Sequence, residues 1–87
     1  MDTIEHNTLM YALQLEMDRQ DEKHGPFEGT PLGRSRLAIA CLEDEVREAR
    51  EAWRSERKAD GWPNTRTEVL QVAAVAMRAL RDAFNAR

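Results

Sequence analysis

The sequence predicts an all-α fold, a three-helix subunit in one domain spanning 1–87 that pairs into helical-bundle dimers or a dimer of dimers. Three observations predict it. Glycine and proline are confined to two places: Gly25, Pro26, Gly29, Pro31 and Gly33 fall within nine residues, and Gly61 and Pro63 flank Trp62. Between these breaks the apolar residues recur every three or four positions and never alternate as a strand requires. No internal repeat, low-complexity tract or linker divides the chain.

The first helix is expected from about Thr3 to Lys23, where Leu9, Leu13 and Met17 repeat every four residues with Met10 beside them. The second is expected from Pro31 or Arg34 to Ala59, with Thr30 as its cap and Pro31 at the first helical position. Its apolar face carries Leu37, Cys41, Leu42, Val46, Ala49 and Trp53. The third is expected from about Asn64 to Ala86, with Thr65-Arg66-Thr67-Glu68 reading as a capping box. Val69, Val72, Ala73, Val75, Ala76, Leu80 and Phe84 follow. The β-branched content of this stretch is high, but so long a run without a turn signal argues helix over strand. At about 100° per residue its apolar arc covers roughly 220°, more than two neighbouring helices occupy. The excess predicts a subunit interface, with a homodimer as the simplest closed form.

Size and charge narrow the partners. A 10.0 kDa chain buries little core and usually leans on disulfides, metals or other chains. Cys41 is the only cysteine, so no intrachain disulfide forms, and one thiol with two histidines (His6, His24) makes no thiolate zinc site. A partner chain, an oxygen-ligated metal, or both remain. Lys and Arg number 13 against 16 Asp and Glu, a net charge of −3, which argues against nucleic acid as the partner. No stretch approaches a membrane span, and the acidic start Met1-Asp2-Thr3-Ile4-Glu5-His6 has no apolar signal region. A free thiol without an export signal predicts a cytoplasmic protein.

Acids stand where apolar residues are expected. On a helical wheel Glu45 lies among Ala38, Ala49 and Leu42, in the centre of the buried stripe, and Glu48 lies at its edge. On the third helix Glu68 lies among Val72, Val75 and Ala79, with Gln71 at the edge. Two facing helices therefore each offer a polar pair at i and i+3. Burying several carboxylates together is costly, and a divalent cation with oxygen ligands removes the cost. The same residues also fit a plainer reading: Glu68 as capping partner of Thr65, and Glu45 at a bundle edge or paired with Arg78. On the first helix Gln20 falls on the apolar face with Leu9 and Leu13, where an amide can meet a base edge while Lys23 or Arg19 meets a phosphate. Trp62 is an aromatic candidate for stacking on a base, and reads more readily as an aromatic anchor in the loop between the second and third helices.

Asp44-Glu45-Val46-Arg47-Glu48 resembles the E-E-x-x-E element of the MazG-like, all-α nucleoside triphosphate pyrophosphohydrolases. Glu68-Val69-Leu70-Gln71, separated from Glu48 by nineteen residues, resembles their E-x-x-D element. Arg19-Gln20-Asp21-Glu22-Lys23-His24-Gly25 resembles the R-Q-x-x-K-W-G element of the small phage and actinobacterial branch. Glu68 to Ala76 is also similar to the E-L-V-Q-V-A-A-V-A run of that branch. The resemblance spans roughly Tyr11 to Leu80. It implies that Glu45, Glu48 and Glu68 hold Mg²⁺ (or Mn²⁺), with Gln71 at the fourth ligand position and Asp44 and Glu45 as catalytic acids that order metal or water. It implies that Arg19, Gln20, Lys23 and His24 bind a nucleotide substrate. The implied reaction hydrolyses a nucleoside triphosphate to monophosphate and pyrophosphate, in a homodimer or larger assembly whose sites draw helices from two chains. Two residues depart from the pattern: His24 stands where tryptophan is frequent, and Gln71 brings a carbonyl but no charge. The second departure keeps two other classes open, a nucleotide-binding or signal-sequestering protein without turnover and a plain helical interaction module.

Overall fold

The computed structural model describes residues 2–58 and 60–85. Among the described residues there are three helices: α1 (Thr3–His24), α2 (Pro31–Glu56) and α3 (Pro63–Asp82). The expected ends at Ala59 and Ala86 lie outside the described residues, and both helices stop short of them. Among the described residues no helix is long and apolar enough to cross a membrane.

Each helix is punctuated by identifiable groups. Asp2 caps α1 by accepting from the Glu5 N–H at 2.8 Å, and Gly25 ends it at φ 72°, a conformation suited to glycine. Thr30 caps α2 through Gly33 N–H at 3.1 Å, with Pro31 opening the helix, so Pro31 rather than Arg34 is the start.

The capping box at Thr65–Glu68 does not form. α3 begins at Pro63, two residues before Thr65, and its N-cap is Trp62, left-handed at φ 52° with no side-chain cap of its own. Glu56, the last residue of α2, supplies the acceptor instead. Its carboxylate takes Asn64 N–H at 2.9 Å, Thr65 N–H at 2.6 Å and the Thr65 hydroxyl at 2.8 Å. An anion at a helix N-terminus satisfies orphan donors and opposes the helix dipole. These bonds hold the Glu56 carboxyl below its ordinary range against the opposing effect of burial. Glu56→Gln keeps the shape and removes the charge. It is expected to lower the melting temperature at pH 7 by roughly 5 °C or more, with the difference from the parent shrinking as the pH falls through the carboxylate range and Glu56 loses its charge. Thermal melts across pH by circular dichroism check this. An unchanged melt at pH 7 would remove Glu56 from that role.

α3 is the spine. It runs antiparallel to α2, because Glu56 meets Asn64 while Phe27, just before α2, reaches Asp82. It runs parallel to α1, because Gln20 meets Gln71 and Asp21 meets Arg78. Among the described residues α1 and α2 each pack on α3 and not on one another. The core is correspondingly thin: Phe27, Ala38, Val75 and Ala79, flanked by Cys41, Leu42 and Ala83. Among the described residues no large side chain is fully buried. The radius of gyration is 14.3 Å, against about 12 Å for a compact chain of this length.

Candidate metal centre

Because α1 and α2 stand apart, a cleft of about 530 Å³ opens between them with α3 as its floor. Gln71, Val75 and Arg78 form the floor, Arg19, Gln20, Lys23 and His24 one wall, and Leu37, Cys41, Glu45 and Glu48 the other. All four residues expected on the substrate side therefore share one concavity with Glu45, Glu48 and Gln71.

Glu45 and Glu48 sit one helical turn apart on α2, and Glu68 approaches from α3. One carboxylate oxygen from each lies within 4.8 Å of the others. Glu45 and Glu68 are half-buried and Glu48 is exposed, so Glu45 faces the cleft rather than the centre of the apolar stripe. Burial raises the Glu45 carboxyl first, and the charges of Glu48, Glu68 and Glu16 raise it further. Glu68 is raised by burial and then by Glu48 and Glu16. Glu45 and Glu68 thus hold their protons more tightly than free carboxyls do, and a proton or a cation relieves the repulsion.

The Gln71 amide stands between two of these acids. With its nitrogen turned toward them it donates to Glu68 Oε2 at 2.9 Å and to Glu45 Oε2 at 3.3 Å. Turned over, its carbonyl oxygen takes the same place, and four oxygens converge. A half-turn about one bond thus exchanges a hydrogen-bonded cluster for a ligand set. Three carboxylates and an amide oxygen are hard donors, without nitrogen or sulfur, and match Mg²⁺ or Mn²⁺ better than zinc or copper.

Glu16 on α1 is the residue that reading the sequence missed. Its charge reaches both Glu45 and Glu68, yet its own carboxyl is lowered, first by Arg19 and then, against burial, by Gln20. Arg19 binds it through Nε at 2.9 Å and a terminal nitrogen at 2.6 Å. The signal was present: Glu16 precedes Gln20 by one turn on the same face of the first helix.

The remaining expectations divide. Gln20 is 4% exposed, and its amide is already engaged at both ends. It donates to Glu16 at 3.0 Å and to the backbone carbonyl of Gln71 at 3.3 Å, and accepts from Arg78 at 3.3 Å. It braces the cleft wall and has no spare group pointed at a base edge. Lys23 and His24 are exposed at the rim. Asp44 stands apart from the cluster, exposed and 3.5 Å from Arg47. Arg78 does not pair with Glu45: its Nε binds Asp21 at 2.8 Å. The Cys41 thiol is pushed up by burial and by the Asp44 charge, so it stays protonated at neutral pH and packs as a small apolar group. Trp62 lies away from the cleft, in an apolar groove with Leu9, Leu13 and Val69.

Compared with known proteins, the chain matches no family model, no curated protein and no solved structure.

Proposed function

We propose that this protein is a Mg²⁺-dependent nucleoside triphosphate pyrophosphohydrolase, cytoplasmic and working as a homodimer or larger homo-oligomer, as its resemblance to the MazG-like enzymes implies. The observation that carries the reading is the meeting of Glu45, Glu48 and Glu68 within 4.8 Å, two of which, Glu45 and Glu48, line a cleft that also holds Arg19, Lys23 and His24. Acids alone repel a polyphosphate, and bases alone supply no way to activate water. The two together in one concavity suit a substrate that is anionic along its phosphates and is bridged to the acids by a cation.

Glu45, Glu48 and Glu68 would hold the ion, with the Gln71 carbonyl as a neutral fourth donor. When bound, Mg²⁺ offsets phosphate charge and lowers the pKa of a coordinated water. The chain itself supplies the rest. Lys23 and Arg19 meet phosphate oxygens at the rim, Arg19 keeping its bond to Glu16. His24 offers a flat ring beside the cleft. The reaction consumes one water and leaves monophosphate and pyrophosphate.

A nucleotide-binding protein without turnover is the second reading, and Gln71 favours it, since a neutral donor weakens the ion's hold. One experiment separates them. A panel of ribo- and deoxyribonucleoside triphosphates is incubated with Mg²⁺ or Mn²⁺, and pyrophosphate and orthophosphate are measured separately. Pyrophosphate without orthophosphate, stopped by EDTA, is the expected result. Saturable nucleotide binding with no product from any member selects the second reading, and neither binding nor product removes both.

A further inference from the structure

α2 turns one face to the cleft and another to α3, and carries a third that neither explains. With Glu43 as zero and about 100° per residue, Arg36 and Arg54 fall near 20°, Arg47 near 40°, Arg50 near 340° and Arg57, the cap residue, near 320°. All five arginines are exposed, and Glu43 is the one acid in the stripe. Among the described residues Arg47 alone of the five meets an acid, Asp44 at 3.5 Å, whereas Arg19, Arg78 and Arg81 are all held by carboxylates. The net charge of −3 therefore hides a basic rod on an otherwise acidic chain.

Beside the arginines runs an apolar line. Leu32, Ile39, Val46 and Trp53 recur every seventh residue and are between 41% and 60% exposed. Ala38 and Leu42 join the core with Val75 and Ala79 of α3 and leave this line outside. A hollow of about 340 Å³ lies where the two lines meet, at Ile39, Val46, Arg47 and Arg50.

An apolar residue at every seventh position with charged residues beside it is one half of a two-helix coil. A repeat of seven falls about 20° short of two full turns, so the line drifts round α2 from Leu32 to Trp53, and a partner helix wound left-handed follows that drift where a flat lipid surface does not. A phosphate chain would answer the arginines, but it would meet Glu43 and leave the apolar line wet. A second α2 would set five arginines against five with Glu43 alone to answer them, so the face is not self-complementary.

We propose that the outer face of α2 docks an amphipathic helix of another protein, one with an apolar residue at every seventh position and acidic residues beside it. Its apolar residues enter the hollows along Leu32, Ile39, Val46 and Trp53, and its carboxylates take the unpaired guanidiniums, which suit them in bidentate fashion. The cleft lies on the other side of α2, so the docking stands whether or not the protein turns over a nucleotide.

The probe is a fluorescent synthetic helix of about four heptads with leucine at the apolar positions and glutamate beside them. Its anisotropy is expected to rise saturably with the protein, with a midpoint of ~1–10 µM at low salt, and the binding is expected to weaken several-fold between ~0.05 and ~0.3 M salt. The same peptide with lysine for glutamate is expected not to bind. Arg50→Glu with Arg57→Glu is expected to keep the helical signal, to lose at least tenfold in affinity for the glutamate peptide and to take up the lysine peptide. The proposal is overturned if the glutamate peptide does not bind, if both peptides bind the parent protein equally, or if the folded double variant keeps the parental preference. A DNA duplex or phosphatidylserine vesicles bound more tightly than the peptide, and released by the same double variant, also overturn it. So does a parent oligomer whose mass falls in that variant, since a second copy then occupies the face.

Discussion

Glu45→Gln is expected to lower pyrophosphate release by roughly 10²–10³-fold or more while leaving the helical content intact. The substitution is nearly isosteric, so no cavity opens in the wall of α2. It takes one negative charge from a cluster whose other charged members are Glu48 and Glu68, and with Gln71 already neutral the donor set falls to two charges. The same change has the opposite effect on the metal-free fold. Burial and three neighbouring acids hold the Glu45 carboxyl above its ordinary value. A raised carboxyl binds its proton more tightly in the folded chain than in the unfolded one. Its contribution is therefore fully present below the ordinary carboxylate range and is lost as the pH rises through the raised value. In EDTA at pH 8 Glu45→Gln should accordingly melt at or above the temperature of the parent protein, and Mg²⁺ should raise the melting point of the parent and not of the variant. A variant that turns over at the parental rate, or a parent that gains nothing from Mg²⁺, would take Glu45 out of the metal site.

How much of this was written in the sequence depends on the range of each interaction. The three helices were legible because their limits are local: the Gly25–Gly33 cluster, the Thr30-Pro31 start and the Gly61-Trp62-Pro63 break all act within a turn or two. The face shared by Glu45 and Glu48 follows from the helical repeat, and Glu68 joins them because the two apolar stripes must face each other. The start of α3 was misread because Thr65 and Glu68 match a local capping pattern, whereas the actual acceptor, Glu56, arrives from a different helix. The engagement of Gln20 escaped for the same reason. Periodicity puts it on the inner face, but only the crossing of α1 and α3 brings Arg78 and the backbone carbonyl of Gln71 to its amide. Asp44 shows the converse: adjacent to Glu45 in sequence, it lies about 100° round the helix and faces solvent.

Arg78 is the residue whose loss should cost the fold most. It is 3% exposed on α3, and its guanidinium joins three separate segments. Nε donates to Asp21 at 2.8 Å and one terminal nitrogen to Gln20 at 3.3 Å, both on α1, while the other terminal nitrogen donates to the Gly25 carbonyl. The plane also lies 5.0 Å from the centre of the Phe27 ring, in the small core cluster. Arg78→Met would leave the Gly25 carbonyl and Gln20 oxygen without this donor and Asp21 with Arg81 alone. The Asp21 side chain is 34% exposed and keeps Arg81, so the cost lies mainly in the Gly25 and Gln20 oxygens left without this donor, about 3 kcal/mol together, close to the whole net stability of ~3–5 kcal/mol expected for so small a core. Arg78→Lys should not rescue it, because a single ammonium cannot reach three acceptors in a plane. The expected result is loss of the cooperative melt in both variants. A melt within a few degrees of the parent in either one would show that α1 is held by something else. The same clamp sets the acid limit. Arg81, and behind it Arg78, hold the Asp21 carboxyl down to about 2. A lowered carboxyl gives its full contribution above its ordinary value and loses it as the pH falls through the folded one. The parent protein should therefore lose stability between about pH 4 and pH 2, and Asp21→Asn should melt lower at neutral pH with a flatter profile across that window. Gln20, Gly25 and Phe27 also line the cleft, so the residue that ties α1 to α3 also fixes the wall against which any nucleotide would rest.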